Sequence, residues 1–192
     1  MTIEEIQEQF KDLSDGIRVI LLIHRTKEGG KNNKYKRHLK KVITTNSQEY
    51  FDTIRELKEI KDSDKRTLRI YATVNDCDIN KAIRLFKQRQ LDNDYASEKL
   101  NLQFYLDIKN QFISCLMDKS CRNSKNFLFD LDGCDDRSFK QIHQRISKLT
   151  EIILSYPTKN GYHIITKPFN YKSLDENLIN TVKGHYLMLV DF

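Results

Sequence analysis

Apolar residues first recur at helical spacing, Ile3, Ile6, Phe10 and Leu13, and then run almost without interruption through Ile17-Arg-Val-Ile-Leu-Leu-Ile23. The first pattern predicts a helix over 3–13 and the second a buried strand, with Asp15-Gly16 as the break between them. Leu39–Thr45 reads as a second strand. A helix over 48–60 follows, capped by Asn46 or Ser47, with Tyr50, Ile54 and Leu57 on one face. Thr67–Val74 is a third strand, and Asp76 or Asp78 caps a helix to about Arg89 with Ile79, Ala82, Ile83 and Phe86 as its apolar stripe. A longer helix is expected within 95–118.

A polar run, Asp118 to Lys125, marks a boundary between an N-terminal α/β lobe (1–125) and a second lobe (126–192). Beyond it the elements are short and well bounded. Phe127–Leu131 is a strand, Asp135–Leu149 an amphipathic helix with Phe139, Ile142, Ile146 and Leu149 inward, and Glu151–Tyr156 a strand. Pro157-Thr-Lys-Asn-Gly161 is a turn, Tyr162–Lys167 a strand, Ser173–Val182 a helix and His185–Asp191 the last strand. The order βαββαβ predicts a ferredoxin-like, RRM-like sheet whose first and third strands are neighbours and whose fourth flanks the first. The fold class expected is therefore α/β (α+β).

That topology carries a chemical consequence. Alternation puts Asp130 and Asp132 on one face of the first strand and Phe129 and Leu131 on the other, while His163 lies on the neighbouring strand. Two carboxylates at i, i+2 repel unless a cation lies between them, and oxygen ligands suit Mg²⁺ or Mn²⁺. A turn at Asp132-Gly133 accounts for Asp132 alone. It leaves Asp130 unexplained, because a carboxylate inside an apolar strand is costly to bury without a partner. Asp191, at the end of the last strand, is a candidate third acid, and Lys159 in the turn a candidate phosphate contact.

Composition adds three limits. A net charge of +6 and a pI near 9.0 favour polyanionic partners. Much of the excess lies between Lys27 and Lys41, where Lys34, Lys36, Arg37 and Lys40 are candidate nucleic-acid contacts; an edge strand blunted by lysines is the structural alternative. No stretch approaches the roughly 18–20 apolar residues of a membrane span, and the acidic, amphipathic start is unlike a signal peptide, so a cytoplasmic protein is expected. Cys77, Cys115, Cys121 and Cys134 lack CxxC spacing and read as free thiols, with zinc binding as the alternative.

Phe127-Leu-Phe-Asp130-Leu-Asp132, then Thr158-Lys-Asn-Gly-Tyr-His163, then a hydrophobic strand ending in Asp191, resembles the archaeo-eukaryotic primase superfamily, including the primase-polymerases of phages and plasmids. The resemblance covers the last 67 residues, with Gly161 where the family commonly has serine. It implies that Asp130, Asp132 and Asp191 hold catalytic metal and that His163 contacts the incoming nucleotide. Nucleoside triphosphates and single-stranded DNA are the implied substrates, DNA replication the implied setting, and a replication protein a further partner. Phe129-Asp130-Leu-Asp132-Gly133 also resembles the first motif of haloacid-dehalogenase-like phosphatases, which would make Asp130 a nucleophile. That motif normally opens a sheet of parallel strands. The remaining alternative is a non-catalytic nucleic-acid- or protein-binding module with a vestigial acidic site.

Overall fold

The structure is a computed structural model and describes residues 10–11, 13–24, 38–65, 67–95, 102–182 and 187–190, with His38 and Leu39 given by their backbone alone. Helices and antiparallel sheets are mixed, as expected of the α/β (α+β) class. The N-terminal half contains β1 (Arg18–His24), β2 (His38–Thr44), α1 (Ser47–Ser63), β3 (Leu68–Thr73), α2 (Ile79–Tyr95), α3 (Leu102–Leu106) and α4 (Ile108–Leu116). The remainder contains β4 (Phe127–Asp132), α5 (Asp136–Ser147), β5 (Ile152–Thr158), β6 (Gly161–Thr166), α6 (Glu176–Ile179) and β7 (Leu187–Leu189). Phe10, Lys11, Leu13 and Ser14 are helical, and Phe10 and Leu13 are buried.

Local chemistry explains most boundaries. Asn46 caps α1 by accepting from the Glu49 amide, and the Glu49 carboxylate reaches back to the Thr45 amide at 2.8 Å, so two otherwise unsatisfied donors are bonded reciprocally. The single helix expected within 95–118 is two, α3 and α4, with Asp107 between them as N-cap of the second. The helix expected over 173–182 contracts to the single turn of α6, capped by Asp175. Two residues assigned to apolar faces, Ile83 and Leu149, are exposed, because α2 covers only part of its stripe and α5 stops at Ser147.

Both sheets are antiparallel, with orders β2-β1-β3-β7 and β4-β6-β5. The adjacency of β4 and β6 is as expected, but the fourth strand of the βαββαβ series does not flank the first. β7 pairs instead with β3, Tyr71 opposite Leu189 and Thr73 opposite Leu187. Beside β4 lies instead the end of the segment expected as the second helix: the Asp130 amide donates to the Thr181 carbonyl at 3.0 Å, and Phe129 forms an isolated bridge with Val182.

The two sheets share a core. Ile20, Leu22, Ile70, Ala72 and Met188 from the first meet Leu128, Leu154, Tyr156 and Ile165 from the second, with Tyr50 and Leu57 of α1. The opposite face of the first sheet, Val19 and Leu21, lies under α2 and α4 through Ala82, Ile113 and Leu116. The opposite face of the second, Phe129, Leu131 and Ile164, is covered by α5 through Ile146. A buried amide clamp orients β4 against the first sheet: Asn75 donates to the Asn126 carbonyl and accepts from its amide at 2.7 Å, satisfying two buried backbone groups with one side chain. Because Leu128 faces the shared core, Asp130 and Asp132 continue that face toward the junction of the two sheets.

Candidate active site

Three strands each contribute one residue to a row. Asp130 on β4 stands opposite His163 on β6, which stands opposite Tyr156 on β5. His163 is 6% exposed, and its Nε2 lies 3.2 Å from Asp130 Oδ1. Its Nδ1 lies 2.8 Å from the Tyr156 hydroxyl, which is itself 2.7 Å from the Leu189 carbonyl of β7. The carbonyl can only accept, so the single Tyr156 hydrogen goes to Leu189 O and the hydroxyl oxygen accepts from Nδ1–H. Nε2 then faces the carboxylate, and this contact is a hydrogen bond in the form of the ring that carries a proton on both nitrogens. Burial, with the Tyr50 hydroxyl and the Asp130 charge as smaller contributions, holds the Tyr156 hydroxyl well above its ordinary pKa, so it remains a neutral donor.

Asp130 and Asp132 line one cavity of about 110 Å³ with His163, Lys159, Arg69 and Leu189. That volume holds a few water-sized groups. The cavity shares Arg69, Thr158, Lys159 and Leu189 with a neighbour of about 350 Å³, so a larger ligand could extend from one to the other. Asp130 is partly buried and Asp132 is exposed at the strand end. Lys159 occupies the two-residue Lys159-Asn160 turn of the β5–β6 hairpin, whose position is fixed by the Gly133 amide donating to Asn160 O at 2.7 Å.

Gly161 is the pivot of this arrangement. It pairs with Asp132, and a Cβ built on it would lie 2.0 Å from the Leu131 carbonyl oxygen and 3.3 Å from the Gly133 nitrogen. Only a residue without a side chain permits this approach. Position 161 thus has a steric requirement for glycine in this chain.

Among the described residues no group of three or more His, Cys, Asp or Glu side chains could by itself hold a metal ion. Mg²⁺ asks for less, since one or two carboxylates suffice when waters and substrate phosphates complete the shell. Asp130 and Asp132, on one strand face beside a cavity with cationic walls, fit that requirement. For zinc the described cysteines do not converge on a ligand set: Cys77, Cys115 and Cys121 lie in one buried apolar cluster, where burial pushes the Cys77 thiol up to about 12 and raises Cys115 as well.

Other expectations are redistributed. Both nitrogens of His163 already face a partner, Asp130 at Nε2 and Tyr156 at Nδ1, so a direct phosphate contact requires one of these contacts to be exchanged. Lys40 points to α1, 3.6 Å from Glu56. Lys34, Lys36, Arg37 and Asp191 lie outside the described residues. Tyr156 and Arg69 were not anticipated. Placing the hairpin turn at Lys159-Asn160 would have set Tyr156 opposite His163, whereas nothing local to Arg69 signals its cavity. Comparison of the chain with known families, curated proteins and solved structures finds no match.

The two buried tyrosines near this row should respond oppositely to loss of the hydroxyl. Tyr156→Phe leaves Nδ1–H and Leu189 O unpaired and is expected to cost about 2 kcal/mol of unfolding free energy. Among the described residues the buried Tyr50 hydroxyl has no hydrogen-bond partner, so Tyr50→Phe should be neutral or stabilising. Urea unfolding of both variants checks this; equal destabilisation would contradict the difference in bonding between the two hydroxyls.

Proposed function

We propose that the chain is a primase-polymerase-like nucleotidyltransferase that joins nucleotides on a single-stranded DNA template with the help of Mg²⁺ or Mn²⁺. The observation that carries this reading is the juxtaposition, across adjacent antiparallel strands, of Asp130 and Asp132 with His163, beside Lys159 and Arg69 in one cavity. In this reading Asp130 and Asp132 hold the ion and Asp191 is the third acid. His163 fixes the Asp130 carboxylate, and Lys159 with Arg69 offers positive charge to the phosphates of the incoming nucleoside triphosphate. When bound, such an ion supplies polarisation of the attacking oxygen and neutralisation of the leaving pyrophosphate. Lys34, Lys36 and Arg37 would contact the template backbone. The setting is phage or plasmid DNA replication in the cytoplasm, with a replication protein as partner; no helix among the described residues is long and apolar enough to cross a membrane.

Antiparallel neighbours on both sides of β6 favour this reading over the phosphatase, whose motif belongs to a parallel sheet. Incubation with labelled nucleotides, Mn²⁺ or Mg²⁺ and a single-stranded template should yield extended product. Hydrolysis of a generic phosphate ester without extension would indicate the phosphatase, and salt-sensitive DNA binding without turnover the non-catalytic module.

A further inference from the structure

On the opposite face of the first sheet lies a larger cavity, of about 520 Å³, that the acidic site does not use. Four apolar residues line it, Leu21 of β1, Ile113 of α4, Met117 at the end of that helix and Leu187 of β7, together with Asn110 and Ser114 of α4. Its rim is cationic. Strand alternation sends the paired lysines of β2 to opposite faces: Lys40 goes to Glu56, whereas Lys41, opposite Leu21 in the register, faces this cavity. Lys119 and Arg122 stand across from it on the segment after α4, where Arg122 is anchored by a backbone bridge to Cys77. The rim's one carboxylate, Asp118, is engaged by Arg89 at 3.3 Å and by the Ser120 amide at 2.9 Å. Three cations thus border a bed of four apolar and two neutral polar residues.

We infer that this cavity is a second, metal-independent site for a nucleotide, with the base or nucleoside on the apolar residues and the phosphates between Lys41, Lys119 and Arg122. The volume falls within the range of small-molecule sites, about 300–1,000 Å³, and the combination of apolar lining with a few convergent polar groups is what such sites require. Phosphate oxygens suit lysine and arginine donors, and the apolar residues add a preference for a ligand with an apolar body over a bare inorganic anion. Leu187 also lines the acidic cavity, so the two sites adjoin across β7. The inference does not depend on turnover at Asp130 and Asp132.

The test is equilibrium binding of a fluorescent ATP analogue to the full chain in EDTA, followed by anisotropy, with unlabelled ATP and pyrophosphate as competitors. EDTA removes the divalent ions that phosphate binding at the acidic pair requires, so failure here and failure of nucleotide incorporation are separate results. Saturable binding is expected, weakened at least about tenfold by Lys41→Gln together with Lys119→Gln and unchanged by Asp130→Asn with Asp132→Asn. ATP should compete at least about tenfold better than pyrophosphate, reflecting the apolar residues. Neither lysine is buried, and acetylation footprinting of the wild-type chain provides a readout that needs no variant: ATP should protect Lys41 and Lys119. The inference is overturned by absence of saturable binding, by undiminished affinity in the lysine double variant, by loss of binding in the aspartate variant, by equal competition from pyrophosphate, or by no protection of the two lysines.

Discussion

Nucleotide incorporation by the Asp130→Asn/Asp132→Asn variant is expected to fall about 10³-fold or more below wild type, the scale of losing electrostatic groups that act on the reacting phosphate. The substitutions keep the shape of each side chain and remove the charge. The amide that replaces the Asp130 carboxylate can still hydrogen-bond His163 Nε2, and position 132 is exposed, so the fold should survive. Loss of activity in a variant that unfolds at the wild-type urea concentration would therefore report on charge at the site. Retained incorporation would remove the two aspartates from the chemistry.

Gly161→Ala should be the most damaging single substitution in the β5–β6 hairpin. The new methyl meets the Leu131 carbonyl oxygen at 2.0 Å, and the neighbouring atoms at 3.0 and 3.3 Å are also backbone, so no flexible side chain can yield. Relief requires β6 to separate from β4 at the Asp132–Gly161 pair, which also strains the Gly133–Asn160 hydrogen bond and shifts Lys159. A cost of about 3 kcal/mol is expected in urea unfolding, with incorporation reduced further than stability alone explains. Gly161→Ser carries the same Cβ and should behave alike. Wild-type stability in either variant would show that the strands can part without cost.

How far the site was legible in sequence follows from which interactions are local. Period-two alternation puts Asp130 and Asp132 on one face, and the βαββαβ order makes β4 and β6 neighbours, which brings His163 near them without fixing the register; the register formed is Asp130↔His163. The same parity predicts that Phe129 and Leu131 face α5, as they do. The partner of β7 was not legible. Leu187-Met188-Leu189 is apolar on both faces, which describes a buried strand equally well beside β4 or beside β3. What decides is tertiary: Met188 completes the core face formed by Ile20, Ile70 and Ala72. Lys41 was overlooked for a related reason. In a run of basic residues its charge looks like that of Lys40, and only the strand register with Leu21 separates the two faces. Asp107 interrupts the helical run over 102–116, where spacing alone suggested continuity.

A metal-dependent site at Asp130 and Asp132 is tested most directly by electron paramagnetic resonance of Mn²⁺ titrated into the protein in the presence of a nucleoside triphosphate. Depletion of the free Mn²⁺ signal beyond that caused by the triphosphate alone is predicted for the wild-type chain, with affinity weakened about a hundredfold in the Asp130→Asn/Asp132→Asn variant. Equal Mn²⁺ affinity in the two proteins, or no depletion by the wild type, would contradict it.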